Sequence, residues 1–427
     1  MDIKSLAEQY NDYIIDRRRY YHTCPELSGE EKNTRAHLKE DLEALGITDI
    51  HELETCYGLT ATIHGGKPGK TVALRADIDA LPVKEETGLP FASHNEGKMH
   101  ACGHDNHMAM LLGAAKILNE VKEELSGDVR LVFQPAEETA VGALQMMKEH
   151  ALDGVDAIYG VHVWGTYDAP GIAFPAGNLM ACCHGFTIEV EGKSAHASAP
   201  HEGVDAVMVA SSILQSIQQL VSRMNDPLNP LVITVGKVTA GNRWNVLAGH
   251  ATLEGTVRTF LTGTQVEDAL RKVAECTAAA FGAKATLSYQ YMTEPVINGD
   301  EQLNRIAQTA VTKLYGKESL ITPAPLMGSE DFSFSGLILL AVPATLQQLE
   351  QVADLREAKE KGEDSLEAIS DSMDAILNAM EGMSGSLNTA ARGLDQLNGA
   401  RGTVSQGKGE VYDRTDLALG DLNGLAD

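Results

Sequence analysis

Along residues 1–178 short apolar runs alternate with helical patterns. LTATIHG (59–65), KTVALRAD (70–77), VRLVFQ (129–134) and AIYGVHV (157–163) have the length and apolar content of strands. Between them Met108, Leu111, Ala115 and Leu118 recur at helical spacing, and GALQMMKEHAL (142–152) reads as a second helix. Strands alternating with helices predict an α/β domain built on a mostly parallel, helix-covered sheet.

A second block starts near Cys183. FTIEVEG (186–192) alternates like a half-buried strand, and a helix follows from Val204 to Val221. LVITVGKV (231–238) and ATLEGTVRTF (251–260) read as strands, 264–281 as a helix and ATLSYQYM (285–292) as a closing strand. The order β-α-β-β-α-β is ferredoxin-like, with ends close enough to be inserted into another domain. The sequence therefore predicts a first domain from residues 1–182 and 293–335, interrupted by an α+β domain over 183–292.

Past Pro343 the pattern changes. Leu366, Ile369, Met373, Ile376, Met380, Met383, Leu387, Ala390, Leu394 and Leu397 are spaced alternately three and four apart, a heptad seam. Gly382, Gly385, Gly393 and Gly399 weaken it, each by roughly 1 kcal/mol against alanine in a helix. Residues 336–427 are thus expected to form a helical, coiled-coil extension with a loosely ordered tail.

A length of 427 residues fits two or three domains, and 43% hydrophobic content fits a globular protein. The formal charge of −26 argues against nucleic acid or an anionic membrane as partner. The N-terminal stretch has no apolar run of signal-peptide length, and the longest later one, Leu337 to Val342, is too short to span a bilayer. A cytoplasmic location is the expectation. The six cysteines show no disulfide spacing, as befits a reducing compartment.

The chemistry concentrates in three places. The run from His100 to His107 sits before a helix and holds a thiol and an imidazole two residues apart, Cys102 and His104. Such a pair suits zinc or another borderline divalent ion, and a thiolate can bridge two ions. Glu137 and Glu138 follow a strand directly. In extended backbone their side chains would point opposite ways, one toward a metal and the other toward a water as general base. His162 lies near the end of the next strand, and ligands of open α/β sheets gather at carboxyl ends of strands. A lone histidine there is usually a core residue; four candidate ligands around one sheet edge point to a metal site.

These residues lie in motifs that resemble the metal-dependent N-acyl-amino-acid amidohydrolases, the group of hippurate hydrolase, indole-acetyl-amino-acid hydrolase and N-acetyl-diaminopimelate deacetylase. The matching stretches include ALRADIDALPV, MHACGHDNHMAML, VFQPAEETAVGA, GVHVW, KSAHASAPHEGVDA, NVLAGHATLEGTVRTF and GSEDFS, in family order over about residues 5–334. The resemblance implies a zinc-peptidase-like catalytic domain with two divalent ions, zinc or manganese, and a ferredoxin-like lid through which the chain forms a homodimer. It implies Cys102 as the bridging ligand, His104, Glu138 and His162 as further ligands, and Glu137 as general base. From the lid, His196 would reach a partner's site to steady the oxyanion, while Asn245 and Arg258 would hold an N-acyl amino acid. Asp77 and Asp79 would support the site, and Arg75 stands where related peptidases carry a histidine ligand.

The chain departs from the family after GSEDFS. The resemblance implies a later histidine completing the metal site, yet the last histidine is His250. At most four of the five expected ligands are present, and a sheet element should be missing, exposing an edge. Residues past about 335 are weakly similar to the helical region of phage-infection-protein-like proteins. The sequence thus supports an amidohydrolase with an impaired site; the alternative is an inactive relative acting as a coiled-coil interaction module or a chimeric gene product.

Overall fold

A computed structural model gives the fold of residues 3–165 and 171–338. The heptad seam lies outside these described residues. The first elements are helices α1 (Ile3–Gln9), α2 (Asn11–Thr23) and α3 (Lys32–Ala44), then strands β1 (Asp49–Glu52), β2 (Leu59–Ile63) and β3 (Val72–Asp77). Next come α4 (His104–Glu120), β4 (Val129–Gln134), α5 (Gly142–Lys148) and β5 (Ala157–Gly160). Short strands β6 (Ile172–Ala173) and β7 (Gly177–Met180) lead to β8 (Cys183–Glu191), α6 (Ala206–Gln219), β9 (Leu231–Ala240), β10 (His250–Thr259), α7 (Gln265–Ala280) and β11 (Lys284–Thr293). The described part closes with β12 (Val296–Asn298), α8 (Glu301–Tyr315), β13 (Leu320–Ile321) and α9 (Phe332–Ile338). No described helix is long and apolar enough to cross a membrane.

The first sheet has the order β1-β2-β4-β3-β5. Four of its strands run one way; β2 runs against both neighbours, so the sheet is mixed at that side. The reason is local: β1 and β2 form a hairpin, and only longer crossovers such as the one through α4 can return a strand parallel. The apolar stripe of α4, including Met108, Leu112 and Ala115, is fully buried with Leu59, Leu131 and Phe133 of the sheet and Leu6, Tyr21, Leu38 and Leu42 of the first helices. Burying each large side chain contributes about 1.5–3 kcal/mol. In register, Asp77 lies beside Gln134 and Arg75 beside Gly160, so the carboxyl ends of β3, β4 and β5 open on one edge.

Residues 183–293 form a separate antiparallel sheet in the order β11-β8-β10-β9, with the elements running β-α-β-β-α-β. Phe186, Ile188 and Val190 alternate inward on β8, where they share a core with Ile213 and Ile217 of α6 and Leu270 and Ala274 of α7. β9 lies at an edge and is mostly exposed. Several boundaries move from the sequence reading. β8 begins at Cys183, α6 starts two residues after Val204 and passes into a π-helix over Leu220–Met224, and α5 ends at Lys148. The three N-terminal helices and β1 have no counterpart in the sequence reading.

Candidate metal centre

The loops leaving β3, β4 and β5 and the start of α4 converge at the sheet edge. Gly103 takes a positive φ of 94° and turns the chain abruptly into α4. His104 and His107 are therefore in the first helical turn, three apart on one face, rather than in a loop before the helix. Cys102 stays outside the helix, just ahead of the turn. His162 lies two residues past the end of β5, not within a strand reaching 163. Its neighbourhood explains why: the Val163 amide donates to His107 Nε2 (2.9 Å) and the Val163 carbonyl accepts from His162 Nδ1 (2.6 Å), leaving no ladder to continue.

The Sγ of Cys102 and one ring nitrogen each of His104 and His162 lie within 4.8 Å of one another. Cys102 Sγ is 3.4 Å from His162 Nε2. His104 donates through Nδ1 to the Asp79 carbonyl at 2.8 Å. Both imidazoles thus spend Nδ1 on a backbone carbonyl and turn Nε2 inward, the arrangement that fixes a metal-ligating tautomer. His104 Nε2 is buried with no hydrogen-bond partner among the described residues, and Glu138 Oε1 is 3.9 Å away. An orphaned buried nitrogen is costly unless something fills the space it faces. Thiol, imidazole and carboxylate donors fit a borderline divalent ion.

A neighbouring triad, Asp77, His104 and His107, is close enough to be considered. Its donors are already used. Asp77 accepts from His107 Nδ1 at 2.5 Å and from Arg75 Nη1 at 2.7 Å, and His107 Nε2 accepts from Val163. Asp77 therefore acts as a fixed support, and the open donors remain those around Cys102. Burial opposes charge on His104, but Asp77, Asp79 and Cys102 more than offset it and hold its pKa well above the ordinary imidazole value. Burial and then His107 push His162 down. Burial pushes the Cys102 thiol up.

Glu137 and Glu138 do not sit in extended backbone. They occupy a turn entered through Ala136 at φ 50°, an uncommon conformation for a residue with a Cβ. The turn is held by Glu31, whose Oε1 accepts from the Ala136 amide (2.8 Å), and by the Ala136 carbonyl, which accepts from Gly142 (3.2 Å). Asp79 Oδ2 accepts from the Glu138 amide at 3.0 Å and from Ser28 Oγ at 2.7 Å. The turn brings an oxygen of each glutamate within 4.8 Å of a ring nitrogen of His104. Burial, reinforced by Glu330 and Asp331, pushes the Glu137 carboxyl up to about 10.

Glu330 and Asp331 have no counterpart in the sequence-derived site. Buried Arg75 gathers them: Nη2 donates to Glu330 (2.9 Å) and Asp331 (3.2 Å), while Nε donates to Gln134 (2.9 Å). Gln134 and the Ala143 amide also donate to Asp331, at 2.6 and 3.1 Å. Asp331 is raised to about 7, chiefly by burial. One guanidinium among Asp77, Glu137, Glu330 and Asp331 leaves the pocket short of positive charge. The sequence signal for this was Arg75 itself, a charged residue directly after the apolar run Val72–Leu74 of β3.

The remaining residues divide. Arg258, near the end of β10, reaches the segment after β13 and donates to Ser329 Oγ at 2.8 Å. His196 and Asn245 lie together ahead of β10, where His196 bridges to Val246 and Ala197 bonds the Asn245 carbonyl. Eight residue steps along β10 separate His250 from Arg258, roughly 27 Å of strand. No described contact joins His196 or Asn245 to the Cys102 cluster.

The sequence model of the peptidase family M20/M25/M40 matches residues 73–366. The N-acetyl-L-cysteine deacetylase of Bacillus subtilis (strain 168) is 41% identical over 343 residues, spanning 78% of this chain and 82% of that protein. An N-acyl-L-amino acid amidohydrolase of Geobacillus stearothermophilus is 39% identical over 303 residues, 70% of this chain and 82% of its own. The crystal structure of the Bacillus subtilis YXEP protein, a dinuclear metal-binding peptidase, superposes with a TM-score of 0.69 at 35% identity, covering 78% of this chain and 87% of that one. Sequence, fold and relatives agree: the chain belongs to the M20/M25/M40 family of peptidases.

Proposed function

We propose that the chain is a metal-dependent amidohydrolase that cleaves the amide bond of N-acyl amino acids. The observation that carries this reading is the inward-facing set of Cys102, His104 and His162 beside the paired Glu137 and Glu138. Cys102, His104, Glu138 and His162 would hold the metal, zinc or manganese. A divalent ion there supplies Lewis acidity to the scissile carbonyl and acidifies a water. Glu137 takes the proton of the attacking water on its carboxylate and delivers it to the leaving amine. Its high pKa is that of a buried carboxyl beside other acids, and binding a cation there would release its proton. Arg258 receives the carboxylate of the substrate.

Residues 183–292 serve as a ferredoxin-like lid and homodimer contact. That no described contact joins His196 or Asn245 to the Cys102 cluster supports their acting on the site of a second copy. All six cysteines are free, which supports a reducing compartment such as the cytoplasm. A second reading, an inactive relative, is favoured by one observation: no histidine follows His250.

The test is metal content after loading, followed by hydrolysis of N-acetyl and N-benzoyl amino acids. We expect at least one equivalent of zinc or manganese, and turnover that falls by about 10²–10⁴ in Glu137→Gln at equal occupancy. Less than about a tenth of an equivalent would sink the metal site. Full occupancy without turnover on any substrate would favour the inactive reading.

A further inference from the structure

Among the described residues Arg258 has one hydrogen bond, to Ser329 Oγ, and no ion pair. A half-buried guanidinium with its other donors unspent is a poor resting state unless it awaits an anion. Its orientation depends on where Ser329 is held, and Ser329 is held firmly. The next two residues, Glu330 and Asp331, are clamped by Arg75 with Gln134 and the Ala143 amide. Arg75 also bonds Asp77, which anchors His107 beside His104. Packing, hydrogen bonds and the backbone from Glu330 back to Ser329 thus tie Arg258 to the cluster: His107 stacks on His104, Asp77 and Arg75 hold Glu330 and Asp331, and Ser329 precedes them directly.

We propose that Ser329 is a positioning residue: its hydroxyl sets Arg258 at a fixed distance from the metal centre and so gives the site its preference for amides that carry a carboxylate. This inference rests on the reading of the site as an N-acyl-amino-acid hydrolase. A long arginine side chain without that bond would sample several rotamers and lose entropy on pairing.

The experiment compares N-benzoylglycine with N-benzoylglycinamide on the metal-loaded full chain and on Ser329→Ala and Ser329→Thr. For Ser329→Ala we expect KM for N-benzoylglycine to rise about tenfold with kcat within about twofold, the pattern of lost uniform binding. The amide should be unaffected, and Ser329→Thr should restore the parent values. An equal change on both substrates, or none on either, would overturn the positioning role. Calorimetric binding of both compounds supplies the same ratio if turnover is too slow to follow. If the metal-loaded parent neither binds nor hydrolyses N-benzoylglycine or other N-acyl amino acids, the reading of the site fails and this inference falls with it. If the parent binds them and Ser329→Ala binds them equally, only the inference fails.

Discussion

His100 shows what a single buried group contributes. It is 4% exposed, and neither ring nitrogen has a partner among the described residues. Burial drives its pKa down from 6.5 to about 4, so the folded chain keeps it neutral while the unfolded chain protonates it below 6.5. Its titration costs the fold nothing above pH 6.5 and destabilises it as pH falls toward 4, where the loss reaches ~3 kcal/mol. Urea unfolding of metal-free parent and His100→Gln at pH 7 and pH 5 should show the parent losing about 2 kcal/mol more than the variant over that interval. Equal losses would mean that His100 is solvated or protonated in the folded chain. At this scale the sequence exposed the donors but not their supports. Cys102 with His104 and Glu137 with Glu138 are near neighbours in sequence, so the spacing displays them. Arg75 meets Glu330 across 255 residues, a contact that no local pattern encodes.

The turn carrying Glu137 and Glu138 depends on how α5 begins. A Cβ on Gly142 would lie 1.6 Å from the carbonyl oxygen of Pro135, at the base of that turn. Gly142→Ala must push α5 and the turn apart, at a cost of about 1–3 kcal/mol for an overpacked site. We expect a lower melting temperature and weaker metal binding, because Glu138 moves with the turn. Unchanged melting and metal affinity would show that α5 can shift without disturbing the site. Elements were legible where burial was dense. α4 buries a wide stripe, and β2 to β5 are largely or partly buried runs. α3 buries only Thr34, Leu38 and Leu42, a single row at four-residue spacing amid charges, and α2 buries only Tyr21 and His22. β1, reading DIHE, is half exposed and has no apolar alternation. The predicted extended geometry of Glu137 and Glu138 failed for a related reason: a positive φ at an alanine leaves no mark in the sequence.

For the molecule as a whole, the proposed activity is tested by the chain beyond the GSED turn. The described chain returns to the first sheet there, with Phe332 set against Gly160 of β5 and beneath Arg75. The site up to this point supplies a thiol, two imidazoles and a carboxylate, while the resemblance calls for one more histidine from later in the chain, where none stands. Losing even a support to a ligand commonly weakens affinity or activity by about 10–100-fold, so losing a ligand should do more. Replacing residues 336–427 with the terminal segment of a family member chosen because it carries that histidine would supply the ligand. Parent and graft would be compared at equal metal occupancy on N-acetyl and N-benzoyl amino acids, after far-ultraviolet circular dichroism shows both folded. We expect turnover in the graft to exceed the parent by at least about 100-fold, since a ligand fixes the position of the water as well as holding the ion. Parent and graft of equal rate would mean that the absent histidine is dispensable in this chain. A graft that binds metal fully yet hydrolyses nothing would place the defect elsewhere, in the Arg75-bound acidic cluster or in the lid.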